Sequence, residues 1–173
     1  MLRSMTSATT RIGPLDAVLT AVFVVLAVLY MAVVIDDEGG SWAAVPLFTL
    51  LAVPLLWRRM SPLAALAGLV VAVGVHVVAF GTLTRCGLFL PVELLLVFAA
   101  AARLPWRMAL AGWVLAIGAA CLLLGFDESA PLDEAGVFVG VLVTIAWVAG
   151  AVLRLVAARA TAGRGMSLEP ARS

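Results

Sequence analysis

The chain has 173 residues, of which 65% are hydrophobic and 12% charged, with a mean hydropathy of +1.19; soluble domains are roughly half apolar and cannot hide that much apolar surface. A formal charge of +1 supplies no basic face for nucleic acid and no acidic tail. Two cysteines, Cys86 and Cys121, are too few for a disulfide scaffold or a multi-ligand metal site.

The expected architecture is all-α: a polytopic membrane bundle of about six transmembrane helices over residues 13–158, between a cytoplasmic N-terminal segment (1–12) and a short, disordered cytoplasmic tail (159–173). A helix crossing the hydrocarbon core needs about 20 apolar residues, and polar clusters divide the sequence at that interval. The first helix is predicted over Leu15 to Ile35. It follows Arg3 and Arg11 as a signal peptide would, but it outruns a signal h-region and ends in Asp36, Asp37 and Glu38 without a cleavage pattern. Asp16, at its start, reads as a carboxylate favouring the helix N-terminus. The second helix is predicted over Ser41 to Trp57 and carries Pro46 and Pro54, each lacking a backbone donor. The third spans Leu63 to Phe80, the fourth Cys86 to Ala102 with Pro91 inside, the fifth Arg107 to Phe126 and the sixth Ala135 to Leu155. Backbone amides have no partner in lipid, so each span satisfies its hydrogen bonds as a helix.

Arginine placement sets the expected orientation, because positively charged loops stay on the cytoplasmic side. One set of segments holds Arg3, Arg11, Arg58, Arg59, Arg103, Arg107, Arg154, Arg159, Arg164 and Arg172, and the opposite set holds Arg85 alone. Both termini are therefore expected in the cytoplasm. All 11 basic residues are arginine, which with the Ala, Val, Leu and Gly bias points to a bacterial genome of high GC content and hence to the bacterial plasma membrane. Trp42, Trp57 and Trp106 fall at predicted helix ends, where indoles sit at the headgroup level.

Helices in lipid associate through close approach of small residues and through hydrogen bonds. Helix three places Ala64, Gly68, Ala72 and His76 at four-residue steps on one face, helix five has Gly112, Ala116 and Ala120, and helix six has Gly136 and Gly140, extended by Thr144. Either internal packing or a homodimer seam fits these stripes. Glu93 is the costliest residue, since a charge near the bilayer centre costs about 2.5 to 3.5 kcal/mol on insertion scales. His76 lies four residues inside Phe80 and Glu93 seven inside Cys86, about 6 and 10 Å deep at 1.5 Å per residue. They are expected to form a polar pair facing the bundle interior, where a ligand or a proton is read; a structural hydrogen bond or a solvated outer vestibule is the plainer reading. Cys86 and Cys121 lie toward the outer side, as packing residues or as an oxidised pair.

The sequence has no phosphate-binding glycine loop, no H-E-x-x-H, no G-x-S-x-G and no Cys/His cluster at metal-ligand spacing. Its one histidine lies within a predicted span. No enzymatic activity and no cofactor are expected of this chain.

Pro14-Leu15-Asp16 at helix one, Trp57-Arg58-Arg59 followed by Ser61-Pro62, the Ala-rich helix four ending in Arg103, and Trp106-Arg107 before helix five together resemble the N-terminal membrane domain of bacterial two-component sensor histidine kinases, over about residues 12 to 160. The resemblance implies a sensory input module whose last membrane helix passes into a cytoplasmic helical linker, a phosphoacceptor-histidine domain and an ATP-binding domain. The sequence departs from that pattern after Arg159, where Gly163, Gly165 and Pro170 interrupt a long helix and no cytoplasmic histidine follows, so the family's catalytic residues carry over to no position here. Expected partners are the lipid bilayer, a second copy in a homodimer, and a cytoplasmic kinase or other signalling protein. A membrane interaction or scaffold subunit is the alternative, and a small transporter or channel the third reading.

Overall fold

The structure, a computed structural model, describes residues 12–38, 41–80, 86–126 and 132–166. The segments before residue 12 and after 166, the links holding Arg85 and Asp127, and the side chain of Cys86 lie outside the described residues. Every element is helical: α1 (Pro14–Glu38), α2 (Ala44–Thr49) continued by a 3-10 helix (Leu50–Trp57), α3 (Pro62–Phe80), α4 (Cys86–Arg103), α5 (Trp106–Leu124) and α6 (Leu132–Met166).

Four of these helices are long and apolar enough to cross a membrane: Pro14–Asp36, Pro62–Phe80, Trp106–Leu124 and Ala135–Thr161. Their surfaces are those of a membrane protein. Along α1, Leu15, Val18, Val22, Val25, Leu29 and Val33 are all exposed, at the three- and four-residue steps that make one helix face. Val71 and Val78 on α3 and Val137, Val141 and Ile145 on α6 likewise point outward. An apolar surface that extensive is at home in lipid and not in water.

The second hydrophobic segment is a short α-helix that tightens into 3-10 geometry where the sequence predicted one helix. Proline is the reason. Pro54 has no N–H to return to the carbonyl four residues earlier, and the chain continues in the tighter 3-10 register. Pro46 sits in the first turn of α2, where a missing donor costs nothing. Pro91, inside α4, leaves that helix continuous.

Helix six differs most from the expectation, continuing to Met166 instead of giving way to a disordered tail at Arg159. Val156 to Ala162 is rich in alanine, the best helix former, and a glycine such as Gly163 or Gly165 costs only about 1 kcal/mol in a helix. The Thr161 hydroxyl donates to the carbonyl of Ala158 at 2.8 Å, within the same turn.

Helix α4 occupies the middle of the molecule. It packs on α6 more extensively than any other pair, and also touches α5, α3, the 3-10 helix and α1. One continuous core results, with Met31, Phe48, Leu51, Leu66, Leu69, Phe89, Leu96 and Leu123 buried.

Candidate functional site

Two regions hold polar side chains inside this apolar bundle. The first is the interior around His76 and Glu93, both completely buried. His76 lies between two aromatic rings, Phe48 of α2 at 5.4 Å and Phe80 of its own helix at 5.7 Å. Phe48 in turn stacks on Tyr30 of α1 at 5.9 Å. Neither ring nitrogen of His76 and neither carboxyl oxygen of Glu93 has a hydrogen-bond partner among the described residues. The expected direct pair is therefore not formed. Aromatic packing holds the imidazole against α2, and no carboxylate among the described residues is hydrogen-bonded to it. Two unpartnered polar groups in an apolar core are unfavourable for stability, since each loses its water without replacement.

The second region is at the other end of the helices, where α1 begins, the 3-10 helix and α4 end, and α6 passes by. Asp16 is buried to 1% exposure. It is no simple cap, as the sequence reading had it. Arg58 donates from Nε to Asp16 Oδ1 at 2.7 Å, and Arg59 Nε lies 3.0 Å from Oδ1 and 2.9 Å from Oδ2. The Thr20 hydroxyl binds the Asp16 carbonyl at 2.8 Å one turn along. Arg103, at the end of α4, donates from Nη1 to the Arg59 carbonyl at 3.2 Å, and Arg154 of α6 donates to the carbonyl of Leu104. Between these groups is a cavity of about 210 Å³, lined by Arg58, Arg59, Leu95, Phe98, Ala99, Ala102, Arg103 and Leu153. Sequence reasoning had every member of this cluster on one side of the membrane, and missed that Asp16 is the hub for two arginines. The signal was available: an acid placed among arginines at one end of the chain's spans.

The small-residue stripes divide. Gly112 is internal, since a Cβ on it would stand 3.1 Å from Leu66 Cδ1 and 3.3 Å from Ala100 Cβ. Ala116 is fully buried, while Gly68 and Ala72 are partly buried, Gly68 facing Pro54. Gly136 and Gly140 are different. They line an open apolar groove between α5 and α6 with Trp113, Ile117, Val137, Val141, Thr144 and Ile145, and a Cβ on Gly140 would meet nothing within 4 Å. The tight approach on α6 is at Gly150, which the sequence reading passed over although Ala146 and Gly150 form a four-residue small pair. Cys121 is a free, exposed thiol; the side chain of Cys86, the partner weighed for it, lies outside the described residues. Among the described residues no three His, Cys, Asp or Glu side chains are grouped as ligands for a metal.

Residues 8–156 match the family model described as Domain of unknown function (DUF7134). The chain belongs to this family. The DUF7134 region takes in α1 to α5 and most of α6, and with them Asp16, Arg58, Arg59, His76, Glu93, Arg103, Gly150 and Arg154. No curated protein and no solved structure matches the chain.

Proposed function

We propose that this chain is a membrane input module, similar in role to the membrane domain of a bacterial sensor kinase, which converts an event in the bundle interior into movement of α6. The observation that carries the proposal is the route from Glu93 to α6. Glu93 is buried on α4 and has no hydrogen-bond partner among the described residues, and α4 has its most extensive packing against α6. Helix α6 runs unbroken for 35 residues, about 52 Å at 1.5 Å per residue, which exceeds the roughly 30 Å hydrocarbon core and carries its end beyond the membrane. A proton or ligand engaging Glu93 or His76 changes the energy of the core around α4, and a rigid neighbour in tight contact must respond as one body.

The reading includes six spans with both termini in the cytoplasm of a bacterial cell. The 3-10 geometry of Leu50–Trp57, with a rise of about 2.0 Å per residue, stretches the fourteen residues from Ala44 to about 25 Å, close to the hydrocarbon thickness. Helix α4, at 18 residues, reaches about 27 Å. The positive ends collect Arg58, Arg59, Arg103 and Arg154 in one cluster, in keeping with a single cytoplasmic face. The chain then acts by binding a cytoplasmic kinase or response protein and performs no chemistry itself.

Crosslinked affinity purification from native membranes, with a tag after Ser173, tests this reading. Recovery of a kinase or response protein supports it, and recovery of the chain with membrane subunits alone overturns it. The open groove along Gly136 and Gly140 favours a second reading, a membrane interaction or scaffold subunit, and that second outcome is the one it predicts.

A further inference from the structure

We infer that the arginine-lined cavity at the ends of the 3-10 helix and α4 is a binding site for the phosphate of an anionic phospholipid headgroup. The inference does not depend on the signalling role. Three guanidinium groups, of Arg58, Arg59 and Arg103, line the cavity, and one carboxylate, Asp16, pairs with two of them, so an excess of two positive charges faces about 210 Å³ of space. Asp16 engages Arg58 and Arg59 through Nε, which leaves their Nη groups as donors, and Arg103 directs one Nη to a backbone carbonyl. Guanidinium donors in a fixed fork match the oxygens of a phosphate. Asp16 and the Arg59 carbonyl hold the forks in place without occupying the cavity, so the site is organised before any anion enters.

A soluble anion would need only the charged rim. The remaining wall is Leu95, Phe98, Ala99, Ala102 and Leu153, which gives nothing to phosphate and suits the glycerol and first acyl carbons of a lipid. The site also lies where headgroups are found. Trp57 and Trp106, adjoining Arg58 and the α4–α5 turn, are exposed, as indoles at the membrane interface are. Basic pockets between membrane helices on the cytoplasmic side are suited to anionic lipid headgroups.

Native mass spectrometry of the delipidated full chain in mild detergent, titrated with dioleoylphosphatidylglycerol or dioleoylphosphatidylcholine, decides the matter, with inorganic phosphate in a third arm. The expected result is one phosphatidylglycerol bound at least tenfold more tightly than phosphatidylcholine, with millimolar phosphate displacing little of it. The preference should fall to about twofold or less in Arg103→Gln. Because that variant also loses the contact to Arg59 and its folding is at risk, Ala99→Leu provides an independent check: it fills the cavity from its apolar wall, keeps every charge and should lose the same preference. Equal binding of the two lipids overturns the inference, as does a preference that survives Ala99→Leu. Inorganic phosphate binding as tightly as phosphatidylglycerol overturns the assignment to a lipid.

Discussion

Gly150 of α6 lies against the backbone of Phe98 on α4 so closely that a Cβ at position 150 would stand 2.5 Å from the Phe98 carbonyl oxygen and 2.9 Å from Ala101 Cβ. The obstacle is backbone, which cannot rotate away as a flexible side chain would. The helices can pack at this distance only because residue 150 has no side chain, and the contact joins the helix carrying Glu93 to the helix that leaves the bundle.

Gly150→Ala is expected to destabilise the fold by about 1–3 kcal/mol, the usual range for an overpacked interior, and to move α6 away from α4. Gly140→Ala, on the open groove, should leave stability within about 0.5 kcal/mol. Thermal unfolding of both variants in detergent makes the comparison, and equal effects would show that the α4–α6 contact is not a tight one.

Asp16→Asn removes the charge that holds Arg58 and Arg59. Breaking a buried pair by deleting one partner costs about 3–5 kcal/mol, and the low end applies because Arg59 is 43% exposed and so screened by solvent. Arg59→Gln should cost under about 1 kcal/mol, and Arg58, at 17% exposure, should cost more. Melting temperatures that ranked Arg59 above Arg58 would contradict the geometry.

Glu93→Leu and His76→Phe should raise stability or leave it unchanged, by up to about 2 kcal/mol, because each replaces an unpartnered buried polar group with an apolar one. The same variants should lose the response of α6, read as the α4–α6 distance between spin labels in liposomes. A large loss of stability in either would show that the side chain has a partner in the membrane-embedded protein.

Topology is testable in a Cys86→Ala, Cys121→Ala background. A cysteine at Ser41 should react with a membrane-impermeant thiol reagent added to intact cells, and one at Ser61 should react only after permeabilisation. Labelling of both from the same side would mean that the segment from Ala44 to Trp57 does not cross.

Trp147 of α6 donates from Nε1 to the Ala109 carbonyl of α5 at 2.9 Å. Trp147→Phe keeps an aromatic ring but removes the donor together with part of the indole, and should cost at least about 0.6–1 kcal/mol, the share typical of an interhelical hydrogen bond in a membrane protein. Chemical unfolding in mixed micelles measures it.

The sequence alone determined where helices form. Phe80, predicted as the end of helix three, is the last residue of α3, and Cys86, predicted as the start of helix four, is the first of α4. That information is local, since an apolar run answers to lipid residue by residue, but a polar cluster need not end the helix: α1 runs through Asp36 and Asp37 to Glu38, and α6 past Arg159 to Met166. Which face of each helix meets another helix was only partly legible, because these helices are apolar nearly all round and their small-residue stripes do not distinguish an internal face such as that of Gly112 and Ala116 from an open one such as that of Gly140. Gly140 and Gly150 look alike in sequence, yet one faces open space and the other a carbonyl oxygen. Asp16 is 42 residues from Arg58, and only the packing of α1 against the 3-10 helix brings them together. His76 and Glu93 were both placed in the interior, but whether two interior groups touch depends on how their helices are rotated. Tertiary packing set that rotation and left both without a hydrogen-bond partner among the described residues.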